Sequence, residues 1–404
     1  MNRKSELSVK RKHPWIFSGN LSSAVTPFAN GEWLTLFSTE NHPIATGIYS
    51  KNGLIRIRVI QNLPEFSKEK VRENLISSLH KRKEVRKTTN AYRILHGEND
   101  LFPGVTVDKI GGTWVVRIYS SSLLAYGRWV VWNLYDLCKN SKVGEPLPTK
   151  ILFDPPEKTG NDKKLSERIW RGPKHGKDTN PILIRETITL QNLKFPVELP
   201  GQKGGIFLDL RNLRKFLLDK KEISKGKDCL HLFSHTGLTS ICMDSAGARS
   251  VTSVDGSKEA LDAFQRVLSL KKDGSSCKHR FVQKNLFREL EEVLKDQKFG
   301  LIVIDPPNLT PDAKSKKNAL KTYAHLFGSS LSSLQESGTI ILCSCSGRIG
   351  SEELESLAKN ILQSKGWRYE KFESLKPEDD HPVRSQFPEG NYFKVHIYEN
   401  CKTS

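Results

Sequence analysis

Cys229-Leu230-His231-Leu232-Phe233-Ser234-His235-Thr236-Gly237 decides the fold. Its first half is an apolar run short enough for one buried strand. Its second half is a turn of small polar residues closed by a glycine, after which helical spacing begins. Eighteen residues beyond Gly237 a second run, 250–255, delivers Asp255, where a carboxylate can accept hydrogen bonds from ribose hydroxyls. Strand, turn, helix, strand and acid in this order describe a nucleoside pocket at the carboxyl edge of a parallel sheet. The turn holds one glycine, with no GxGxxG and no GK[ST] loop, so nothing cradles a pyrophosphate. A nucleoside without phosphate, such as S-adenosylmethionine, fits that turn. The alternative is an ordinary α/β turn whose Asp255 caps the next helix.

Downstream, Leu301-Ile302-Val303-Ile304 reads as a strand stopped by Asp305-Pro306-Pro307-Asn308. The prolines end the strand and stiffen the backbone beyond it, which suits an acid that orients the amino edge of a planar base. The next run, 339–342, ends in Cys343-Ser344-Cys345-Ser346-Gly347. Cytosine C5 is a poor nucleophile until something adds to C6, and a cysteine thiolate does so reversibly. The competing reading makes these cysteines small core hydrophobes. Between the runs, 258–270 carries a helical stripe of Leu261, Phe264, Val267 and Leu268, and the alternation predicts a mainly parallel, doubly covered α/β sheet. Asp154-Pro155-Pro156 repeats the later tripeptide after a shorter run and reads as a coincidental turn.

Upstream, residues 1–72 hold β-favouring runs at 32–37, 44–49 and 54–60 and predict a small β module. Its Lys10-Arg11-Lys12-His13-Pro14-Trp15 stretch, with Phe17, mixes cations and aromatic faces suited to phosphates and unstacked bases. A basic loop anchored by Trp15 and Phe17 is the alternative. Helical spacing of Val71, Leu75, Ile76 and Leu79 continues the chain over 66–87. Strands at 105–107, 114–119, 150–153 and 182–189 with a helix at 126–137 then make 73–199 an α+β middle domain. Residues 157–180 read as an irregular connection.

With 404 residues the chain exceeds one core, and 37% hydrophobic with 27% charged residues is ordinary for a globular protein. A net charge of +19 points to a polyanionic partner, nucleic acid foremost, with a solubilising surface charge as the alternative; a membrane is disfavoured, since no basic run has an apolar opposite face. Seven cysteines without a CxxC pair or metal-ligand spacing, and no secretory signal, predict reduced thiols in the cytoplasm and no metal centre.

These motifs resemble the bacterial class I methyltransferases with an N-terminal PUA domain that make 5-methylcytosine in large-subunit (23S) ribosomal RNA. The similar stretches begin with His13-Pro14-Trp15-Ile16-Phe17-Ser18-Gly19, Gly97-Glu98 through Asp108, and Gly201-Gln202-Lys203 through Arg211. They continue with Leu232 through Gly237, Ile304-Asp305-Pro306-Pro307, Ser344-Cys345-Ser346-Gly347, His381-Pro382 and Phe387-Pro388-Glu389-Gly390. The resemblance implies a PUA-like domain, an α+β middle domain and a Rossmann-like methyltransferase domain over 200–404. It places Asp209, Arg211, Phe233, Ser234, Thr236, Asp255, Ser257, Asn285 and Asp305 around S-adenosylmethionine, with Cys345 as nucleophile and Asp305 at the base. It implies 23S rRNA or an assembling ribosomal particle as partner and leaves a homodimer open. The chain departs from the pattern at Leu210, where relatives carry Gln, and at Asn285, where an acid is usual but an amide carbonyl can still accept the adenine bond. Ala324 and His325 after Tyr323 also differ, in what is expected to be a substrate-facing loop. Two rivals remain: an RNA base-nitrogen methyltransferase in which Cys345 is structural, and a non-catalytic ribosome-binding or assembly factor.

Overall fold

The structure, a computed structural model, describes residues 1–21, 28–140, 143–154, 168–170, 184–199, 206–270, 275–312 and 314–404. The reading of 157–180 as an irregular connection, and the Gly201-Gln202-Lys203 motif, lie outside these apart from 168–170. Contacts divide the chain into two units, Met1–Leu190 with Asp379–Gly390, and Gln191–Glu378 with Asn391–Ser404. They do not separate 1–72 from 73–199, because residue 73 falls inside the helix Lys68–Lys81, which Ser67 caps by accepting from Lys70 N.

In the first unit an antiparallel sheet orders Trp15–Phe17, Ile55–Gln61, Pro43–Tyr49 and Trp33–Phe37. A second sheet runs Ala91–His96, Val105–Ile110, Thr113–Ile118, Lys150–Asp154 and Arg168–Trp170. Thr113–Ile118 and Lys150–Asp154 pair in parallel, because the helix Leu124–Asn140 returns the chain to the same end. That helix and Lys68–Lys81 bury Val130, Leu134, Leu75 and Leu79 with Ile94, Val107 and Trp114 in one core. The sequence reading missed the helix Arg3–Lys10, whose single buried apolar side chain is Val9. It is held by polar contacts instead, with Asn2 capping Ser5 N and buried Glu6 accepting from Thr39 N and Oγ1.

The second unit is an eight-stranded sheet. Its path is Lys278–Gln283, Ser250–Asp255, Asp228–Leu232, Phe299–Ile304, Leu334–Ser344, Lys394–Thr403 and Trp367–Arg368, with Lys371–Leu375 also on Lys394–Thr403. The first five are parallel and both sheet faces carry buried clusters, as expected of a Rossmann-like domain. The chain starts at Asp228–Leu232, steps outward twice, then returns to the other side at Phe299–Ile304. This reversal opens a crevice at the carboxyl ends of those two central strands, where α/β sheets bind ligands. The antiparallel strand Lys394–Thr403 was not foreseen; its buried side chains include Lys394 and His396, which interrupt an apolar pattern.

Candidate active site

Leu232 pairs with both Val254 and Ile304, so the segments beyond these strands emerge side by side. After Leu232 the backbone turns through positive φ at Phe233 (63°), His235 (49°) and Gly237 (75°). A Cβ on Gly237 would lie 2.1 Å from the Phe264 ring, so only glycine fits. A left-handed non-glycine residue costs about 1–2 kcal/mol, and Asp255 supplies part of what holds it. Its carboxylate accepts from His235 N and Ser257 N, both at 2.8 Å. Asp255 is therefore a brace for two loops, and each oxygen keeps a second lone pair for a ribose hydroxyl.

Phe207, Leu210, Arg214, His231, Ser234 and Asp305 help line a cavity at this point. Two polar atoms buried there, Ser234 Oγ and His231 Nε2, have no hydrogen-bond partner among the described residues. Leaving such groups unpaired is costly, and a ligand with polar edges would satisfy them. Burial, with Arg214 and His235 adding, pushes His231 down to about 3, so it is neutral. Its Nδ1 bonds Ser240 Oγ at 2.8 Å. Arg214 is held by Phe207 O at 2.7 Å and Thr239 Oγ1 at 3.3 Å, and burial lowers it to about 10.

The remaining expected residues divide. Thr236 lines the same cavity, and Asp209 beside it accepts from Tyr392 OH at 2.9 Å. Arg211 is buried in an ion pair with Glu378, and Ser257 caps the helix Lys258–Ser269 by accepting from Ala260 N. Asn285 is exposed, and its Oδ1 accepts from Phe287 N at 3.1 Å in a local turn. The exposed Phe287 ring meets that of partly buried Phe233 with centroids 5.3 Å apart, an aromatic pair the sequence reading missed.

At the reactive edge the two cysteines differ. Cys343 is fully buried, and burial drives its thiol far up. Cys345 is only partly buried, and its Sγ sits 3.8 Å from Pro306 O, so the Asp305-Pro306 exit and the thiol are neighbours. Buried Tyr323 fixes the loop around the thiol, its OH donating to Ser344 Oγ at 2.9 Å and meeting Ser346 Oγ at 3.0 Å. Ser346 Oγ in turn accepts from Leu309 N at 3.0 Å. Tyr323, Ala324 and His325 therefore do not form a substrate-facing loop as expected. They lie in the helix Lys316–Ser330, whose periodicity turns Tyr323 inward and His325 to solvent.

Asp244, Cys277 and His279 bring ligand atoms within 4.8 Å of one another, a grouping that linear spacing did not reveal. His279 Nε2 is engaged with Asp244 Oδ2 at 3.2 Å and its Nδ1 has no partner among the described residues, unlike a metal-bound imidazole with a supported second nitrogen. Among the described residues no helix is long and apolar enough to cross a membrane.

Comparison with known proteins identifies two domains. Residues 1–62 match a PUA-like domain, and residues 179–365 match an S-adenosylmethionine-dependent methyltransferase. The chain joins a PUA-like domain to an S-adenosylmethionine-dependent methyltransferase domain. It is 27% identical to the "Ribosomal RNA large subunit methyltransferase I" of Alteromonas mediterranea, covering 97% of this chain and 96% of that protein. The fold matches a solved chain described as an S-adenosylmethionine-dependent methyltransferase from Streptococcus mutans, with a TM-score of 0.77, 22% identity and 98% of each chain covered. A second solved methyltransferase, complexed with SAH, matches with a TM-score of 0.75, 22% identity and the same coverage. S-adenosylmethionine is thus the cofactor of the C-terminal domain, and the orphaned Ser234 and His231 atoms lie at a small cavity with room for about one water.

Proposed function

We propose that the protein methylates C5 of a cytidine in large-subunit ribosomal RNA. The observation that carries this reading is the placement of Cys345, the more accessible of two neighbouring cysteines, beside the rigid Asp305-Pro306 exit. The name borne by the relative that spans nearly the whole chain supplies the RNA class. Asp209, Ser234, Thr236 and Asp255 hold S-adenosylmethionine, which supplies the methyl group. Phe233 and Phe287 offer rings to its adenine, Arg211 and Ser257 keep the surrounding backbone in place, and Asn285 sits at the adenine side.

The target cytidine leaves its stack, and Asp305 accepts from its 4-amino group. Cys345 adds to C6, and the electron pair pushed towards C5 makes that carbon the nucleophile for the methyl group, which the cofactor would supply while leaving as S-adenosylhomocysteine. Loss of the C5 proton then expels the thiolate and restores the ring. Residues 1–72 are assigned to RNA docking, 73–199 to the connecting α+β body and 200–404 to the chemistry.

The test is methyl transfer by the purified chain onto large-subunit rRNA from a strain lacking its gene, read by nucleoside mass spectrometry. 5-Methylcytidine is expected. An N-methylated nucleoside as sole product would replace this reading with base-nitrogen methylation, and no product together with no cofactor binding would replace it with an assembly role.

A further inference from the structure

Lys394 is a lysine with almost no exposure, 4%, and its ammonium end is met by two backbone carbonyls rather than by a carboxylate. It stands directly across the sheet from Ser344, in the antiparallel pairing of Leu334–Ser344 with Lys394–Thr403. Its Nζ donates to the carbonyl of Ser346, the residue after Cys345, at 2.8 Å and to the Tyr392 carbonyl at 3.0 Å. Cys345 is thus bracketed by the residues that Lys394 faces and binds. A neutral amine has two hydrogens, enough for those two carbonyls, and one lone pair left over. A lysine placed here by packing alone would be replaceable by Met at less cost, since burying an ammonium is expensive.

We propose that Lys394 takes the thiol proton of Cys345, directly or over one water, and holds the sulfur as a thiolate ready to add to C6. The Sγ–H bond breaks with its electron pair staying on sulfur, and the Nζ lone pair forms the new N–H bond. When the thiolate is expelled from C6 at the end of the cycle the same ion pair returns, so Lys394 acts through Cys345 and needs no other reactant. The inference rests on the reading of Cys345 as nucleophile.

The surroundings agree. Burial lowers Lys394 to about 8, while Cys345 is the strongest opposing influence and Glu353, on the helix Ser351–Ser364, the next. Asp305 at the end of Phe299–Ile304 and Tyr323 on Lys316–Ser330 also face this cluster; burial keeps the Tyr323 phenol protonated. His396, two residues along, is pushed to about 4 by burial and stays neutral. Neither Tyr323 nor His396 competes for the thiol proton near neutrality, and Lys394 is poised to exchange it.

The test is the pH profile of Cys345 alkylation by iodoacetamide in the full chain, read by mass spectrometry of the Cys345 peptide, with Cys277 as internal reference. Wild type should reach half its maximal rate about one pH unit or more below the ordinary thiol value of about 8.5. Lys394→Met should raise that midpoint and slow alkylation at pH 7 roughly tenfold. An ordinary midpoint in wild type overturns the proposal without any variant, which covers the case in which Lys394→Met fails to fold. An unchanged midpoint in folded Lys394→Met overturns it too. The nucleophile reading fails separately, through active Cys345→Ser, so the two failures are told apart.

Discussion

Two regions of the molecule answer to family motifs, and they use them in opposite ways. In the second unit, residues 233–237 hold three positive-φ positions braced by Asp255, and buried polar atoms of His231 and Ser234 have no partners among the described residues. In the first unit, the Gly97-Glu98 and His381-Pro382 motifs meet in a network of paired charges, although His381 Nε2 lacks a partner among the described residues. Arg82 donates to Asp100 Oδ1 at 3.1 Å, to the Asp380 carbonyl at 3.0 Å and to Arg93 O at 2.9 Å. Asp380 accepts from Arg93 N at 2.9 Å and pairs with His381, and Arg93 continues to Asp108 at 2.7 Å. Glu98 accepts from Trp15 Nε1 and Gly104 N, and Gly390 packs where any Cβ would strike Asn99. A motif match therefore has two physical meanings. Strain and unmet hydrogen bonds mark a place that waits for a ligand, and closed networks mark a place that holds a fold.

The largest expected effect lies in the closed network. Burial alone would raise Asp100, but Arg82 beside it outweighs this and holds the carboxyl below its usual range. Arg82→Met leaves that buried carboxylate with only half-exposed Lys81 as a charged partner and should cost about 3 kcal/mol. Calorimetry should show a lower Tm with cofactor affinity intact; an unchanged Tm would break the comparison.

Asp255→Ala should do the reverse. It removes one bond to the strained turn, one to the Ser257 loop and the proposed ribose acceptor, worth about 1.5–3 kcal/mol, or roughly ten- to a hundredfold in Kd for S-adenosylmethionine by titration calorimetry. Equal affinity in wild type and variant would mean that the loop needs no brace.

The pH dependence sharpens the contrast at His231. Its folded value of about 3 lies below the ordinary 6.5, so its contribution to stability is complete above pH 6.5 and is lost as pH falls towards 3. His231→Gln should flatten the fall of Tm across that window. His96, also held low by burial, imposes the same sign on the first unit, so His231→Gln should leave part of the acid sensitivity in place.

The smallest effect belongs to the N-terminal surface, where Lys10, Arg11 and Lys12 are exposed and Trp15 is engaged with Glu98 and packed on Phe387 at 4.7 Å. Trp15 is an anchor, Lys10 is paired with Glu6, and Phe17, Arg11 and Lys12 are left exposed. Replacing the three cations by Ala should weaken binding to ribosomal RNA and reduce the slope of log K against log salt by about 2–3. An unchanged slope would move docking elsewhere.

The parallel sheet was legible because its strands are uninterrupted apolar runs, and Ser250–Asp255 fell where periodicity put it. Asp305 and Cys345 were legible because prolines and glycine punctuate the sheet edge. Lys394, Tyr392 and Arg214 were not, since a polar residue within an apolar run shows its partner only once distant strands pair. The helix Arg3–Lys10 was hidden for a related reason, being held by Glu6 and Asn2 more than by an apolar stripe.

Whether Cys345 is the group that attacks the base decides the chemistry, and ribosomal RNA carrying 5-fluorocytidine tests it most directly. Fluorine cannot leave C5 as a proton does, so wild type with S-adenosylmethionine should form an RNA adduct that survives denaturation, mapping to Cys345 by mass spectrometry and absent in Cys345→Ser. Methylation of normal RNA without any such adduct, or full activity in Cys345→Ser, would contradict the role of Cys345 as nucleophile.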